Sequence, residues 1–379
     1  MTKKVLVFSD WFIPGFKAGG PIRSLVNMIK ALPEVSFVVI TRIKDYHANA
    51  VYPNIEEGKR YKVFDNCDVI YVSEERMNRM FIRECILSDK YDFIYLNSLF
   101  SPLFTVKVLW VLRSLNESKA KVIVAPRGML KTGALSVKAP KKQFFLWLAK
   151  KIDLFAEVRW HATSETEQSE IRSVFGSKVE ARVAEVLPTL LESRKKTSQK
   201  NPQTLRMVCF SRVSPEKGIL EAIRIVNSVP NEYSVILDIY GSVPDNDYSM
   251  QCAKETQKTS NPRCSLKGEV DPAEIESMYA NYDVFLLPTW GENFGHAIAE
   301  SLMTGTPVII SNKTPWRGLE QQQCGFDLPL EKEVFLSAIK RFAEMDASEF
   351  QIWSKNAVAY GRSRALDPGI IQKHKLLFE

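Results

Sequence analysis

The chain has 379 residues, of which 45% are hydrophobic, 11% aromatic and 25% charged. This excludes disordered and fibrous proteins and leaves length for two domains of ordinary size. The net charge of +7 is uneven, with 29 basic against 20 acidic side chains in residues 1–190 and 22 against 24 in residues 191–379. Such an excess marks a basic face for phosphate, anionic lipid or nucleic acid and excludes none of them.

The opening strand signal is Val5–Ser9, ended by Asp10 and too short for a secretory leader. Gly15-Phe-Lys-Ala-Gly-Gly-Pro21 follows, and Pro21–Leu32 is spaced as a helix. Gly19 and Gly20 let the backbone approach a ligand closely, and Pro21 suits the first helical position. The pattern fits neither a dinucleotide fingerprint nor a phosphate-binding P-loop; Gly128 and Gly133 have P-loop spacing, but Ala134 stands where a lysine is required. Strands are then predicted at Ser36–Thr41, Asp68–Val72, Phe93–Asn97, Lys121–Ala125 and Arg159–Thr163, with helices at Phe100–Leu115 and Lys141–Phe155. The most apolar of the longer stretches, Ser98–Leu112, contains Lys107 and falls short of the roughly 20 residues a membrane span needs.

Leu191–Thr204 is polar and Lys-rich, without an apolar period. It separates a first domain, 1–188, by a linker at 189–204, from a second, 205–355; a C-terminal helical segment, 356–379, is expected to pack back on the first domain. The second domain brings strands at Leu205–Ser211, Ser234–Tyr240, Val284–Pro288 and Val308–Ser311, with helices at Glu216–Ser228 and Pro272–Ala280. Ala347–Ser363 and Pro368–Leu377 also read as helices. Nearly continuous apolar strands alternating with helices define two doubly wound α/β domains. Ligands in such sheets sit outside the carboxyl ends of the strands, so the chemistry is expected on the loops there, in a cleft between the domains.

Three clusters occupy such loops. In Pro288-Thr-Trp-Gly-Glu-Asn-Phe-Gly-His296 a strand ends and a helix starts near Asn293–Gly295, stopping at Gly305. A helix N-terminus attracts anions through its unsatisfied N–H groups and dipole. Glu292 precedes the helix and Glu300 lies inside it, roughly 10 Å apart along the axis. That is beyond the about 5–9.5 Å of a glycosidase acid–base pair but suits two ends of an extended hydroxylated ligand. In Phe210-Ser-Arg-Val-Ser-Pro-Glu-Lys-Gly218, Arg212 and Lys217 supply the cations a diphosphate needs. The third is Gly19-Gly20. Asp245-Asn-Asp247 imitates a metal-binding D-x-D but reads as a helix cap. The six cysteines (67, 85, 209, 252, 264 and 324) form no C-x-x-C pair and read as reduced, mostly buried thiols.

Glu292-x7-Glu300, Arg212-x4-Lys217, Gly19-Gly20 and Gly305-Thr-Pro-Val together resemble the retaining glycosyltransferases of family 4, which have the GT-B fold: two Rossmann-like doubly wound domains facing an interdomain cleft that holds a nucleotide sugar. Glu292-Asn-Phe-Gly-His and Thr314-Pro-Trp-Arg317 resemble a bacterial branch that builds cell-surface polysaccharides such as lipopolysaccharide. The resemblance implies a retaining, metal-independent hexosyltransferase with no cofactor, a UDP- or GDP-linked sugar donor and a glycan or lipid-linked acceptor. It implies that Arg212 and Lys217 grip the donor diphosphate and that Glu300 holds the ribose. Glu292, Asn293, Phe294 and Gly295 would meet the transferred sugar, and Gly19 and Gly20 the phosphates. Gly241 and Gly268 match loop glycines near the base. Asn97 and Arg127 stand where the family often has a histidine; His161 and His47 are alternative polar groups. Lys138–Lys151 combines five lysines with Phe144, Phe145 and Trp147, a pattern suited to peripheral contact with anionic membrane. The expected location is cytoplasmic, reaching the inner face of the cell membrane, with no nucleic-acid partner. A GT-B epimerase and a non-catalytic nucleotide-sugar-binding module remain as rival readings.

Overall fold

The computed structural model describes residues 2–115, 119–131, 139–193, 196–197, 199–244, 246–258, 263–365 and 367–379. The chain divides into two units, Met1–Leu187 with Pro368–Glu379, and Pro188–Asp367.

The first unit is built on β1 (Lys3–Phe8), β2 (Val35–Arg42), β3 (Arg60–Phe64), β4 (Cys67–Val72), β5 (Phe93–Leu96), β6 (Lys121–Val124), β7 (Val158–Ala162) and β8 (Ala181–Val183). They lie in the order β3-β4-β2-β1-β5-β6-β7-β8, parallel throughout except for β3 against β4. The run Val5-Leu6-Val7-Phe8 shows why the strands read as continuous apolar segments. Val5 and Val7 join one core cluster, with Val39, Tyr95 and Ile123. Leu6 and Phe8 join another, with Ile40, Ile94 and Val124. Strand residues alternate between faces and both faces are covered, so every position is buried. Burial of each such side chain contributes about 1.5–3 kcal/mol. The helices are α1 (Gly20–Ala31), α2 (Arg79–Leu87), α3 (Lys107–Arg113, entered by a π-helical turn at Pro102–Val106), α4 (Ala139–Lys151) and α5 (Glu165–Phe175).

The second unit has β9 (Thr204–Phe210), β10 (Ser234–Tyr240), β11 (Cys264–Gly268), β12 (Val284–Leu287), β13 (Val308–Ser311) and β14 (Gly325–Leu328). Their order is β11-β10-β9-β12-β13-β14, all parallel. The order reverses between β9 and β12, the place where doubly wound sheets bind ligands. Its helices are α6 (Ile219–Asn227), α7 (Asp247–Thr256), α8 (Pro272–Met278), α9 (His296–Met303), α10 (Lys332–Glu344) and α11 (Ala347–Ala365).

The structure departs from the sequence expectation at the edge strands, at one helix start, at the domain edge and in the linker, whereas the last helix lies with the first unit, where the C-terminal segment was expected. Strands β3, β8, β11 and β14 were not predicted, and they are the four edges of the two sheets. The helix predicted from Glu216 begins at Ile219, because Pro215–Lys217 is a 3-10 turn and Gly218 takes a left-handed φ of 67°. The domain edge expected at 355/356 falls inside α11. The last helix, α12 (Pro368–Leu377), belongs to the first unit: Arg159 donates to the Leu377 carbonyl at 2.9 Å and His374 to the Glu185 carbonyl at 2.7 Å.

The linker, finally, is more than a polar tether. Lys196 donates to the carbonyls of Tyr279 (3.1 Å) and Tyr282 (2.7 Å) and to the Thr306 hydroxyl (2.5 Å), and burial pushes its pKa down to about 7. Lys200 donates to the carbonyls of Ala343 (3.0 Å) and Met345 (3.2 Å).

Helix α4 turns Leu146 and Ala149 inward and leaves Phe144, Trp147 and Leu148 exposed, with the Phe144 and Trp147 rings stacked at 5.8 Å and Lys151 over Trp147. Lys138 lies outside the described residues. Among the described residues, no helix is long and apolar enough to cross a membrane.

Candidate functional site

The loop after β9 and the loop after β12 meet at the strand-order reversal of the second unit. Lys217, the last residue of the 3-10 turn, places its Nζ 2.5 Å from Glu292 Oε1. The two side chains are 17% and 13% exposed, so the pair is largely shielded from water and only weakly screened by salt. Two residues 75 positions apart, given separate tasks by the sequence, thus form one charged unit.

The backbone explains how they meet. Glu216 accepts hydrogen bonds from Trp290 N (2.8 Å) and from the Thr289 hydroxyl (3.0 Å) through its carbonyl. Gly218 closes the join: a Cβ there would stand 2.1 Å from the Pro288 carbonyl oxygen, and its φ already disfavours other residues. Ser311, at the end of β13, donates to the Thr289 carbonyl at 2.5 Å, and Glu292 N donates to Lys313 O at 3.1 Å.

Helix α9 begins at His296, with Gly295 as its cap at φ 84°, slightly later than predicted. Its approach is held by Trp316, whose indole N–H donates to the Phe294 carbonyl at 2.5 Å while the two rings pack at 5.4 Å. The sequence singled out Trp316 only as part of a motif; its positioning role needed the structure. Asn293 sits between Glu292 and Phe294 on the same approach. Glu300 is the fifth residue of α9 and only 5% exposed, so it is a buried carboxylate and not a solvated face residue.

Arg212 follows β9 and is exposed. Gly241, after β10, has φ 151°, and a Cβ there would stand 2.2 Å from the Ser211 carbonyl. Its lack of a side chain therefore lets the end of β10 lie against the backbone that carries Arg212. Gly268 has φ 79° and open space where a Cβ would be. Asn246 caps α7 by accepting from Ser249 N at 2.9 Å, while Asp245 lies outside the described residues. Among the described residues, no group of three or more His, Cys, Asp or Glu side chains is placed to hold a metal ion. All six cysteines are reduced and buried.

The remaining predicted residues belong to the first unit. Gly19 caps α1 at φ 71° with nothing within 4 Å of its Cβ position, and Gly20 is the first residue of that helix. Asn97 and Arg127 follow the neighbouring strands β5 and β6 and are brought together: Arg127 Nε donates to Asn97 Oδ1 at 2.9 Å, and its Nη2 to Tyr95 Oη at 2.9 Å. Asn97 donates in turn to Ser9 Oγ at 3.2 Å, after β1. Arg127 holds φ 56°, and the turn is clamped by buried Glu167, which accepts from Gly128 N at 2.5 Å and Thr163 N at 2.7 Å. His161 is fully buried, hydrogen-bonded to Tyr95 Oη at 2.6 Å and to the Ala184 carbonyl at 2.9 Å, and burial holds its pKa well below the usual value. It is a core residue. His47 is exposed and lies at another place in the unit.

Two Rossmann-like units in this order form the GT-B fold, and solved structures bear this out over the whole chain. The sucrose-phosphate synthase of Thermosynechococcus elongatus superposes with a TM-score of 0.71 at 18% identity, covering 99% of this chain and 98% of that one. Anabaena HepE, solved in complex with UDP and glucose, superposes with a TM-score of 0.67 at 17% identity over the same shares. Residues 192–323, which hold Arg212, Lys217, Glu292 and Glu300, match the sequence model of the family described as Glycosyl transferases group 1. An uncharacterized 41.2 kDa protein from the cps region of Klebsiella pneumoniae is 24% identical over 236 residues, 59% of this chain. The chain covers 61% of that relative's length.

Proposed function

We propose that the protein is a retaining hexosyltransferase that takes a sugar from a UDP- or GDP-linked donor and passes it to a glycan or lipid-linked acceptor in surface polysaccharide synthesis. The observation that carries this reading is the shielded Lys217–Glu292 pair at the β9/β12 reversal, beside the approach to α9. Cleavage of the anomeric C–O bond puts negative charge on the leaving diphosphate. Lys217, held in its pair with Glu292, and the N-terminus of α9 stabilise that charge where it develops, and the exposed Arg212 adds a second cation. As the diphosphate engages Lys217, Glu292 is released to accept hydrogen bonds from sugar hydroxyls, so one ion pair serves both halves of the donor. Glu300, buried inside α9, takes the ribose hydroxyls in this reading. Three such groups make a metal ion redundant for neutralising the diphosphate. The domain match, the cps-region relative and the HepE complex support this reading.

A thermal-shift panel of UDP-, GDP-, ADP- and TDP-sugars, with and without EDTA, tests it. A donor at about 100 times its Kd stabilises by roughly 2.7 kcal/mol, which for a unit of this size raises the Tm by about 5–10 °C. The expected result is that response to one UDP- or GDP-sugar, unchanged by EDTA. No response to any nucleotide sugar would refute the reading, and a response abolished by EDTA and restored by Mn²⁺ would refute metal independence.

A further inference from the structure

Helix α4 carries two apolar stripes, where a helix packed on a domain surface needs one. Leu146 and Ala149 are buried, and Phe145 meets Phe100 at 5.6 Å and Phe155 at 6.5 Å, so the first stripe belongs to the core. The second comprises Phe144, Trp147 and Leu148, which are 62%, 55% and 38% exposed. With Lys151 these positions follow the i, i+3, i+4, i+7 spacing of one helix face. The Phe144 and Trp147 rings stack on each other, and Lys151 lies over Trp147 at 5.2 Å.

The charge around this face has one sign. Residues 139–151 hold four lysines and no acidic side chain. Exposed Lys141 stands one turn before Phe144, and exposed Lys150 one turn after Trp147. Lys150 also lines a groove of about 1230 Å³ at the amino ends of β6, β7 and β8, together with Lys119, Lys121 and Lys178. Arg159 and Glu180 in the same wall pair with each other at 2.7 Å, which leaves those four lysines facing Asp153 and Glu157. Among the described residues, Lys119, Lys150 and Lys178 have no carboxylate partner. The groove lies at the opposite end of the sheet from the strand ends where such folds bind ligands.

Exposed aromatic rings edged by lysines suit a bilayer with anionic headgroups. The rings enter the interface, and the lysine stems reach from it to the lipid phosphates. A protein partner would be set in register by rim charges of both signs, whereas the rim of this stripe is lysine alone. We propose that α4 and the adjoining groove form a membrane-docking surface, with Phe144, Trp147 and Leu148 entering an anionic bilayer and the lysines meeting its phosphates. Membrane binding does not depend on the transferase reading; under that reading it brings the chain to a lipid-linked acceptor.

Co-sedimentation of the full chain with vesicles tests this, using phosphatidylcholine alone and equal parts of phosphatidylcholine and phosphatidylglycerol. Binding to the anionic vesicles and little to the neutral ones is expected. Raising the salt from about 0.1 M to about 1 M should weaken it, as the screening length falls from about 10 Å to about 3 Å. Lys150→Ala with Lys178→Ala should lower partitioning about 30-fold, about fivefold for each lysine near an anionic surface. Phe144→Ser with Trp147→Ser should lower it at least about tenfold and leave the Tm unchanged, because both side chains are exposed. An environment-sensitive dye on Phe144→Cys locates the contact, since the six native cysteines are buried. Its emission should shift to the blue on anionic vesicles, and that of the same dye on Lys62→Cys, exposed on β3 at the far edge of the sheet, should not.

No binding to anionic vesicles, binding unchanged in both double variants, or a blue shift at Lys62→Cys but not at Phe144→Cys would each overturn the surface. Self-association that is lost in Phe144→Ser with Trp147→Ser, without vesicle binding, would give the face to a second copy of the chain and overturn it as well. Vesicle binding by a chain that responds to no nucleotide sugar would support the surface and overturn only the transferase reading.

Discussion

Lys217→Ala should lower turnover of the nucleotide-sugar donor by about 10²–10³-fold, the loss expected when one fixed charge-stabilising donor is removed from a shielded site. The chain should still fold. Losing the ammonium strips Glu292 of a partner at 2.5 Å in a mostly buried setting, which costs about 1–2 kcal/mol and a few degrees in Tm. Arg212→Ala, on an exposed residue, should leave the Tm unchanged and lower turnover less. Steady-state kinetics with Tm values alongside provide the check. Near-normal turnover in Lys217→Ala would remove this residue from the site.

Gly218→Ala tests the architecture beneath the chemistry. The added methyl would stand 2.1 Å from the Pro288 carbonyl oxygen, and both are backbone-fixed, so the turn and the end of β12 must separate. The left-handed φ adds a further penalty. A loss of about 2–4 kcal/mol in stability is expected, from the strain and the clash together. Because the same join sets Lys217 against Glu292, donor binding should fall with it. Gly176→Ala, in the first unit and away from the candidate site, is the control. Its φ is also positive but its Cβ would meet nothing within 4 Å, so it should incur the conformational penalty alone. Denaturant unfolding and donor thermal shifts on both variants separate the two effects.

The interior of the fold was legible in the sequence because buried parallel strands have few alternatives. Val5-Leu6-Val7-Phe8 and Val284-Phe285-Leu286-Leu287 are apolar at every position since both faces of the sheets are covered. Edge strands are paired on one side only and do not carry that signature. Arg60–Phe64 is half exposed, Ala181–Val183 has three residues, and Cys264–Gly268 and Gly325–Leu328 mix polar and apolar positions. The residue types of the site were legible too, since cations and carboxylates on strand-end loops are unusual. Their pairing was not. Nothing local to Lys217 or Glu292 says that they meet, or that Arg127 would reach Asn97 across two strand ends. The polar look of the linker concealed Lys196 and Lys200, because a lysine satisfied by buried carbonyls has the same letter as one in solvent.

If the protein works as proposed, the loops after β9 and β12 hold a nucleotide diphosphate. Photoaffinity labelling tests it most directly, with an azido-base analogue of whichever UDP- or GDP-sugar stabilises the protein, followed by peptide mapping. Label is expected within residues 205–300, competed away by the parent donor and strongly reduced in Lys217→Ala. Competable label confined to residues 1–187, unchanged in Lys217→Ala, would contradict it.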